Sequence, residues 1–132
     1  MVTRHLVKDF MRHDILVTAH PKTSINEAAR KMAQFNVGSI VIVDENNKIL
    51  GIFTERDLVK AVANSINLNT ELEKVMTKNP VRISYDEYIE KALLVMRENN
   101  VRHLPVVNKE DKFVGMISLR DLTKLISVED FE

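Results

Sequence analysis

An internal duplication constrains this chain more than any other feature. Residues 17–63 lie over 81–127 without a gap, so that Ile25, Ala28, Met32, Asn36, Val37, Gly51, Arg56, Asp57 and Leu58 each meet an identical residue 64 positions later. Most other apolar positions exchange one aliphatic side chain for another. A single copy, at roughly 60 residues, is marginal as a stand-alone domain. The economical solution packs the sheets of the two copies face to face about a pseudo-two-fold axis.

The sharpest part of the repeat is eight residues long. Gly51-Ile52-Phe53-Thr54-Glu55-Arg56-Asp57-Leu58 returns as Gly115-Met116-Ile117-Ser118-Leu119-Arg120-Asp121-Leu122. Each copy reads as a glycine turn, a short apolar strand, a hydroxyl residue and an Arg-Asp pair opening a helix. A hydroxyl followed three residues later by an acid has the form of a capping box, which satisfies free N–H groups at a helix start. Capping accounts for Thr54 with Asp57 and for Ser118 with Asp121. It does not account for the arginines, because a cation in the first turn meets the positive end of the helix dipole. An anionic group bound beside the helix start would relieve that conflict.

Composition narrows the partners. Lys+Arg and Asp+Glu balance at 19 each, which argues against a dedicated nucleic-acid binder. Any anion site is therefore local. With no cysteine, disulfides, thiolate metal sites and thiol catalysis are absent, and His5, His13 and His20 have no metal-ligand spacing. The three glycines, Gly38, Gly51 and Gly115, are far apart, which removes the glycine-rich dinucleotide fingerprint and the phosphate loop. The N-terminus carries no signal-peptide core and no apolar run approaches membrane-spanning length. A cytoplasmic protein is expected.

Along the chain, Leu6, Val7 and Phe10 have helical spacing and Ile15 to Thr18 reads as a strand. Ser24 with Glu27 forms a capping box for a helix whose apolar stripe is Ile25, Ala28, Ala29, Met32 and Phe35. Ile40 to Val43 is a continuous apolar run, typical of a strand buried on both faces. Asp44 to Asn47 turns into a returning strand, Lys48 to Phe53, and the helix opened by Thr54 runs through Leu58, Val59, Val62 and Ala63. Thr70 and Glu73 cap a short helix ending at Met76. The pattern then recurs: a strand at Val81 to Ile83, the stripe Ile89, Ala92, Leu93 and Met96, a buried strand Leu104 to Val107, a returning strand Phe113 to Ile117, and a closing helix with Leu122, Leu125 and Ile126. Residues 128–132 form an acidic tail.

The duplicated unit resembles the cystathionine-β-synthase (CBS) domain, which occurs in tandem pairs known as Bateman modules. The motifs that carry the resemblance are Asn36 to Asp44 with Gly51 to Leu58, and Asn100 to Val107 with Gly115 to Leu122. It places repeat 1 at 7–65 and repeat 2 at 70–128, without an attached catalytic domain. It implies a mixed α/β fold: two β-α-β-β-α repeats packed sheet to sheet about a pseudo-two-fold axis, with a homodimer as the assembly.

The resemblance further implies a regulatory ligand-binding module and no enzyme. An adenine nucleotide of the AMP, ADP or ATP class would act as regulatory ligand, with no cofactor required, and signal to a partner protein that the sequence does not name. Thr54/Asp57 and Ser118/Asp121 would face ribose, since an ionised carboxylate accepts from both ribose hydroxyls. Adenine would lie against Ile15, Leu16 and Val17 in one cleft, and against Pro80, Val81 and Arg82 in the other. Phosphates would be met by Gly38/Ser39, by Arg102/His103, and by Arg56 and Arg120. Asp57 is expected to share a cleft with Arg102, His103 and the strand at Val81, and Asp121 with Gly38, Ser39 and the strand at Val17. Phosphorylated adenosine would then favour the Asp57 cleft, more so as pH falls towards about 6 and the histidine charges. Two other readings stay open: an interaction scaffold with empty clefts, and a sensor of S-adenosylmethionine or another adenosyl ligand. A small enzyme is discounted, because no nucleophile, base and orienting group are arranged recognisably.

Overall fold

The computed structural model describes residues 4–14 and 16–123. Ile15, Leu125, Ile126 and the acidic tail lie outside the described residues. The chain divides into two compact units, one of Val17–Pro80, the other of Met1–Leu16 together with Val81–Glu132.

In the first unit the elements are β1 (Thr18–Ala19), α1 (Ile25–Phe35), β2 (Ser39–Val43), β3 (Ile49–Thr54), α2 (Glu55–Ala63), a 3₁₀ turn at Leu72–Lys74 and β4 (Thr77–Lys78). They build a four-stranded sheet in the order β1-β2-β3-β4, with β1 parallel to β2 and the other pairs antiparallel. Ile40, Val41 and Ile42 are fully buried in β2, as an uninterrupted apolar run requires. The core gathers Ala19, Ile25, Ala28, Met32, Ile40, Ile42, Phe53, Ala61 and Leu72. Ser24 Oγ accepts from Glu27 N at 3.1 Å to start α1. Asn36 ends it in the left-handed region at φ 52°, a conformation that a short amide side chain tolerates. Asn100 ends the matching helix of the second repeat, Ile89–Asn99, in the same way at φ 52°, which explains why asparagine recurs there.

The second unit contains a 3₁₀ turn at Val7–Asp9, β5 (Ile83–Ser84), α3 (Ile89–Asn99), β6 (His103–Val107), β7 (Phe113–Ser118) and the described part of α4 (Leu119–Leu122). Its sheet runs β5-β6-β7. On the free edge of β7, Arg12 and Met116 exchange backbone hydrogen bonds of 2.8 and 3.0 Å. Val7 is fully buried in a core with Ile83, Ile89, Ala92, Met96, Leu104, Val106, Ile117 and Leu122. The N-terminal segment is held further by Val7 N donating to Glu87 O at 2.8 Å and Ile89 N to His5 O at 3.0 Å. Arg4 stacks over the Tyr88 ring at 4.7 Å.

Each short turn thus packs into the core of the repeat it does not precede. Val7 serves the unit of the second repeat and Leu72 that of the first. The chain passes between units at Leu16–Val17 and at Pro80–Val81. That crossing explains why the expected strands at Ile15 to Thr18 and Val81 to Ile83 shrink to Thr18–Ala19 and Ile83–Ser84.

Several local expectations change. Gly51 and Gly115 are not turn residues: both lie inside strands, β3 and β7, and neither has positive φ. Room is the reason for glycine, since a methyl group on Gly51 would overlap Met76 Sδ and one on Gly115 would overlap Met11 Sδ. The Ser24/Glu27 box is half formed, with the Ser24 hydroxyl accepting from Glu27 N but no return bond. Thr70 does not cap the turn at Leu72; its carbonyl accepts from Ile25 N at 3.0 Å, and Glu71 stands at the cap position. Strand β4 has no signal in the sequence pattern and exists through its pairing with β3. Phe35 and Leu93, read as core, are 43% and 41% exposed, and Val59 and Val62 of α2 are exposed as well. A helical stripe records which face is apolar, not how far the opposing surface extends along the axis.

Candidate functional site

The two motifs form the same hydrogen-bond box. In the first unit Thr54 N donates to Asp57 Oδ2 at 2.9 Å, Thr54 Oγ1 donates to the same oxygen at 3.1 Å, and Asp57 N donates to Thr54 Oγ1 at 3.3 Å. In the second, Ser118 N and Ser118 Oγ each reach Asp121 Oδ2 at 2.9 Å, and Asp121 N donates to Ser118 Oγ at 3.2 Å. Capping is therefore established for both pairs. Each box uses Oδ2 and leaves Oδ1 over.

At that leftover oxygen the repeats part. Asp121 Oδ1 accepts from Arg12 Nε at 3.1 Å, and the Asp121 side chain is 1% exposed. Asp57 is only half-buried, and its Oδ1 has no partner among the described residues. Among the described residues no fully buried side-chain oxygen or nitrogen lacks a hydrogen bond. The open Asp57 oxygen is therefore one that solvent, or a hydroxyl, can reach. The residue corresponding to Arg12 is Thr77: Arg12 bridges Met116, and Thr77 pairs with Ile52, the counterpart of Met116 in the repeat. Threonine at that place is exposed and carries no charge.

The strand ends assemble the remaining site residues within each unit. Ser39 lies opposite Thr54 in the β2–β3 register, Glu55 N donates to Gly38 O at 3.0 Å, and Val41 N donates to Val17 O at 3.3 Å. Val17, Gly38, Ser39, Thr54, Arg56 and Asp57 therefore gather at one end of the first sheet. In the second unit His103 lies opposite Ser118 and Leu119 N donates to Arg102 O at 2.9 Å, which gathers Arg102, His103, Ser118, Arg120 and Asp121. Within their own repeat, Arg102 and His103 stand at the strand end beside Ser118. Leu16, Val17, Pro80 and Val81 flank the two points where the chain changes unit, and Ile15 lies outside the described residues. Arg82 is ion-paired with Asp111 at 3.6 Å. Pro105 breaks the symmetry again. It has no N–H, so the bond from Val41 to Val17 has no counterpart from Pro105 to Val81.

Arg56, Arg102 and Arg120 are exposed, and none forms an ion pair among the described residues. These cations are available to an anion. Arg12, which meets the spare Asp121 oxygen, and its counterpart Thr77 are positions that motif reading misses. The ungapped alignment starts after them, and the preceding segments match only with an offset one residue longer, which sets Met11 on Met76 and Arg12 on Thr77. Among the described residues there is no group of three or more His, Asp or Glu able to hold a metal, and no helix long and apolar enough to cross a membrane.

Comparison with known proteins agrees with this architecture. A relative from Acidianus ambivalens, an uncharacterised 17.7 kDa protein, is 40% identical over 106 residues, which is 80% of this chain and 64% of that protein. Longer curated relatives also match, and the chain spans only 23–24% of their length. The CBS domain pair of protein MJ0100, solved with 5′-methylthioadenosine and S-adenosyl-L-methionine, superposes with a TM-score of 0.86 at 32% identity, covering 93% of this chain and 96% of that one. The CBS domain protein PAE2072 from Pyrobaculum aerophilum, solved with AMP, gives a TM-score of 0.86 at 25% identity, covering 96% and 95%. The CBS domain model matches residues 7–64 and again 72–128. The chain therefore belongs to the CBS domain family, as a pair of its repeats.

Proposed function

We propose that this chain is a regulatory module that binds an adenine-containing ligand, of the AMP, ADP or ATP class, at the first unit, and passes its occupancy to a partner protein. One observation carries the reading: Asp57 is held rigidly through Oδ2 while Oδ1 remains open. A fixed, ionised acceptor suits a vicinal diol, because hydrogen bonds to a charged group contribute more than neutral ones. Arg56, Gly38 and Ser39 stand at the same strand ends to meet phosphate, and arginine's planar fork matches phosphate oxygens. Val17 supplies apolar surface beside them. Ser118, Arg120 and Asp121 form the corresponding set of the second unit, together with Val81, Arg102 and His103.

A second reading has its own support. The structural relative at 32% identity holds 5′-methylthioadenosine and S-adenosylmethionine, while the one with AMP is at 25%. A less charged adenosyl ligand would use the same Asp57 acceptor without Arg56. The exposed apolar residues Phe35, Val59 and Val62 of the first unit, and Leu93, Leu94 and Leu119 of the second, support a homodimer. Sedimentation across a micromolar concentration range checks this, and a persistent monomer would count against it.

A thermal-shift panel of AMP, ATP, 5′-methylthioadenosine, S-adenosylmethionine and GMP tests the function. A ligand that binds only the folded state adds about 2.7 kcal/mol at a hundredfold excess over its Kd. Adenine ligands should raise Tm and GMP should not, and the order of AMP against 5′-methylthioadenosine separates the two readings. No response to any adenosine compound would leave the interaction scaffold as the better account.

A further inference from the structure

The N-terminal segment brings a cation to only one of the two matched carboxylates. Arg12 is tied to β7 by two backbone hydrogen bonds with Met116, and Met11 is packed against Gly115. The arginine is therefore not a wandering surface side chain. Its Nε reaches Asp121 Oδ1 at 3.1 Å, with Arg12 38% exposed and Asp121 1% exposed. The first unit repeats this arrangement with Met76 against Gly51 and Thr77 paired with Ile52. There the side chain is too short and uncharged to close Asp57.

We propose that Arg12 is a built-in occupant of the second repeat's acceptor, so that the paired position Arg12/Thr77 decides which repeat is open to ligand. The inference rests on the ligand-binding reading above for what enters the open site. The closure itself does not depend on it. An arginine Nε–H donating to a carboxylate occupies the direction from which a diol hydroxyl would approach, and it neutralises the charge that would attract the donor. A ligand at Asp121 would have to displace a tethered arginine, whereas a ligand at Asp57 displaces only water. The duplicated sequence therefore specifies one working site per chain, and the specificity is written in a residue outside the signature motif.

Reciprocal exchange tests the proposal. Wild type, Arg12→Thr, Thr77→Arg and the double variant are titrated calorimetrically with AMP and, separately, with 5′-methylthioadenosine. The expected stoichiometries are one ligand per chain for wild type, two for Arg12→Thr, none for Thr77→Arg, and one for the exchange. Because Arg12→Thr leaves a buried carboxylate and can fail to fold, Thr77→Arg, which alters an exposed residue, decides the matter by itself. A ligand-free arm follows arginine Nε–H resonances by ¹⁵N-edited NMR. Wild type should show an exchange-protected Arg12 Nε–H, lost in Asp121→Asn, and Thr77→Arg should add a further protected Nε–H, lost in Asp57→Asn. Two equal sites in wild type, undiminished binding by Thr77→Arg, or an unprotected Arg12 Nε–H would overturn the closure. A protected Arg12 Nε–H with no binding in any variant would uphold the closure and overturn the ligand-binding reading.

Discussion

The two units share a hydrogen-bond box to within about a tenth of an ångström at most of its bonds, yet differ in what faces the spare oxygen. In the first unit Asp57 combines capping with an open acceptor. In the second, Asp121 combines capping with an ion pair to Arg12 and is shut away from solvent. Duplication copied the geometry that folds the helix start, while the residue opposite diverged. A signature motif thus guarantees the cap; its availability to a ligand is set by a neighbour that the motif does not include.

The largest effect should come from the crossed turns. Leu72 is fully buried in the first core, so Leu72→Ala should cost about 2–5 kcal/mol in denaturant unfolding, the usual range for a truncated core leucine. Val7, fully buried in the second core, should cost less on truncation to Ala because fewer atoms are lost. Local hydrogen exchange should show loosening in α3 for Val7→Ala and in α1 for Leu72→Ala. Loosening in the opposite helices would break the assignment of each turn to its unit.

Arg12→Ala should come next, with a loss of about 1–3 kcal/mol, because it strips a partner from a buried carboxylate. Its counterpart Thr77→Ala should stay within about 0.5 kcal/mol, as exposed substitutions do. The glycines sharpen the same contrast. Gly51→Ala and Gly115→Ala should each destabilise by about 1–3 kcal/mol through overpacking. Gly115→Ala should be the worse, since a Cβ there also meets the backbone oxygen of Arg12 at 3.1 Å. The smallest effects belong to the caps: Thr54→Ala and Ser118→Ala should lose about 0.5–2 kcal/mol in thermal unfolding. The buried Ser118 should lie at the upper end.

Elements whose signals are local are legible in the sequence. The apolar run of β2, the stripe of α1, the recurring Asn36 and Asn100 stops, and both Thr/Ser-Asp boxes depend on residues within a few positions of one another. What is not legible depends on distant partners. Strand β4 is two residues long and exists because β3 has an edge to pair with. The glycines looked like turn residues because glycine usually serves conformation, whereas here a methionine 25 positions from Gly51 needs the space. Arg12 lies 109 residues from Asp121, in a segment that aligns with its counterpart only after a one-residue shift.

Calorimetric titration of Asp57→Asn against Asp121→Asn, with AMP and with 5′-methylthioadenosine, tests the central claim most directly. Asparagine keeps the shape of the cap while removing the charge. The open-acceptor account predicts that Asp57→Asn weakens binding by about tenfold to a hundredfold, as expected for a lost hydrogen bond to a charged group. It predicts that Asp121→Asn leaves affinity and stoichiometry as in wild type. Equal losses in the two variants, or a loss confined to Asp121→Asn, would contradict it.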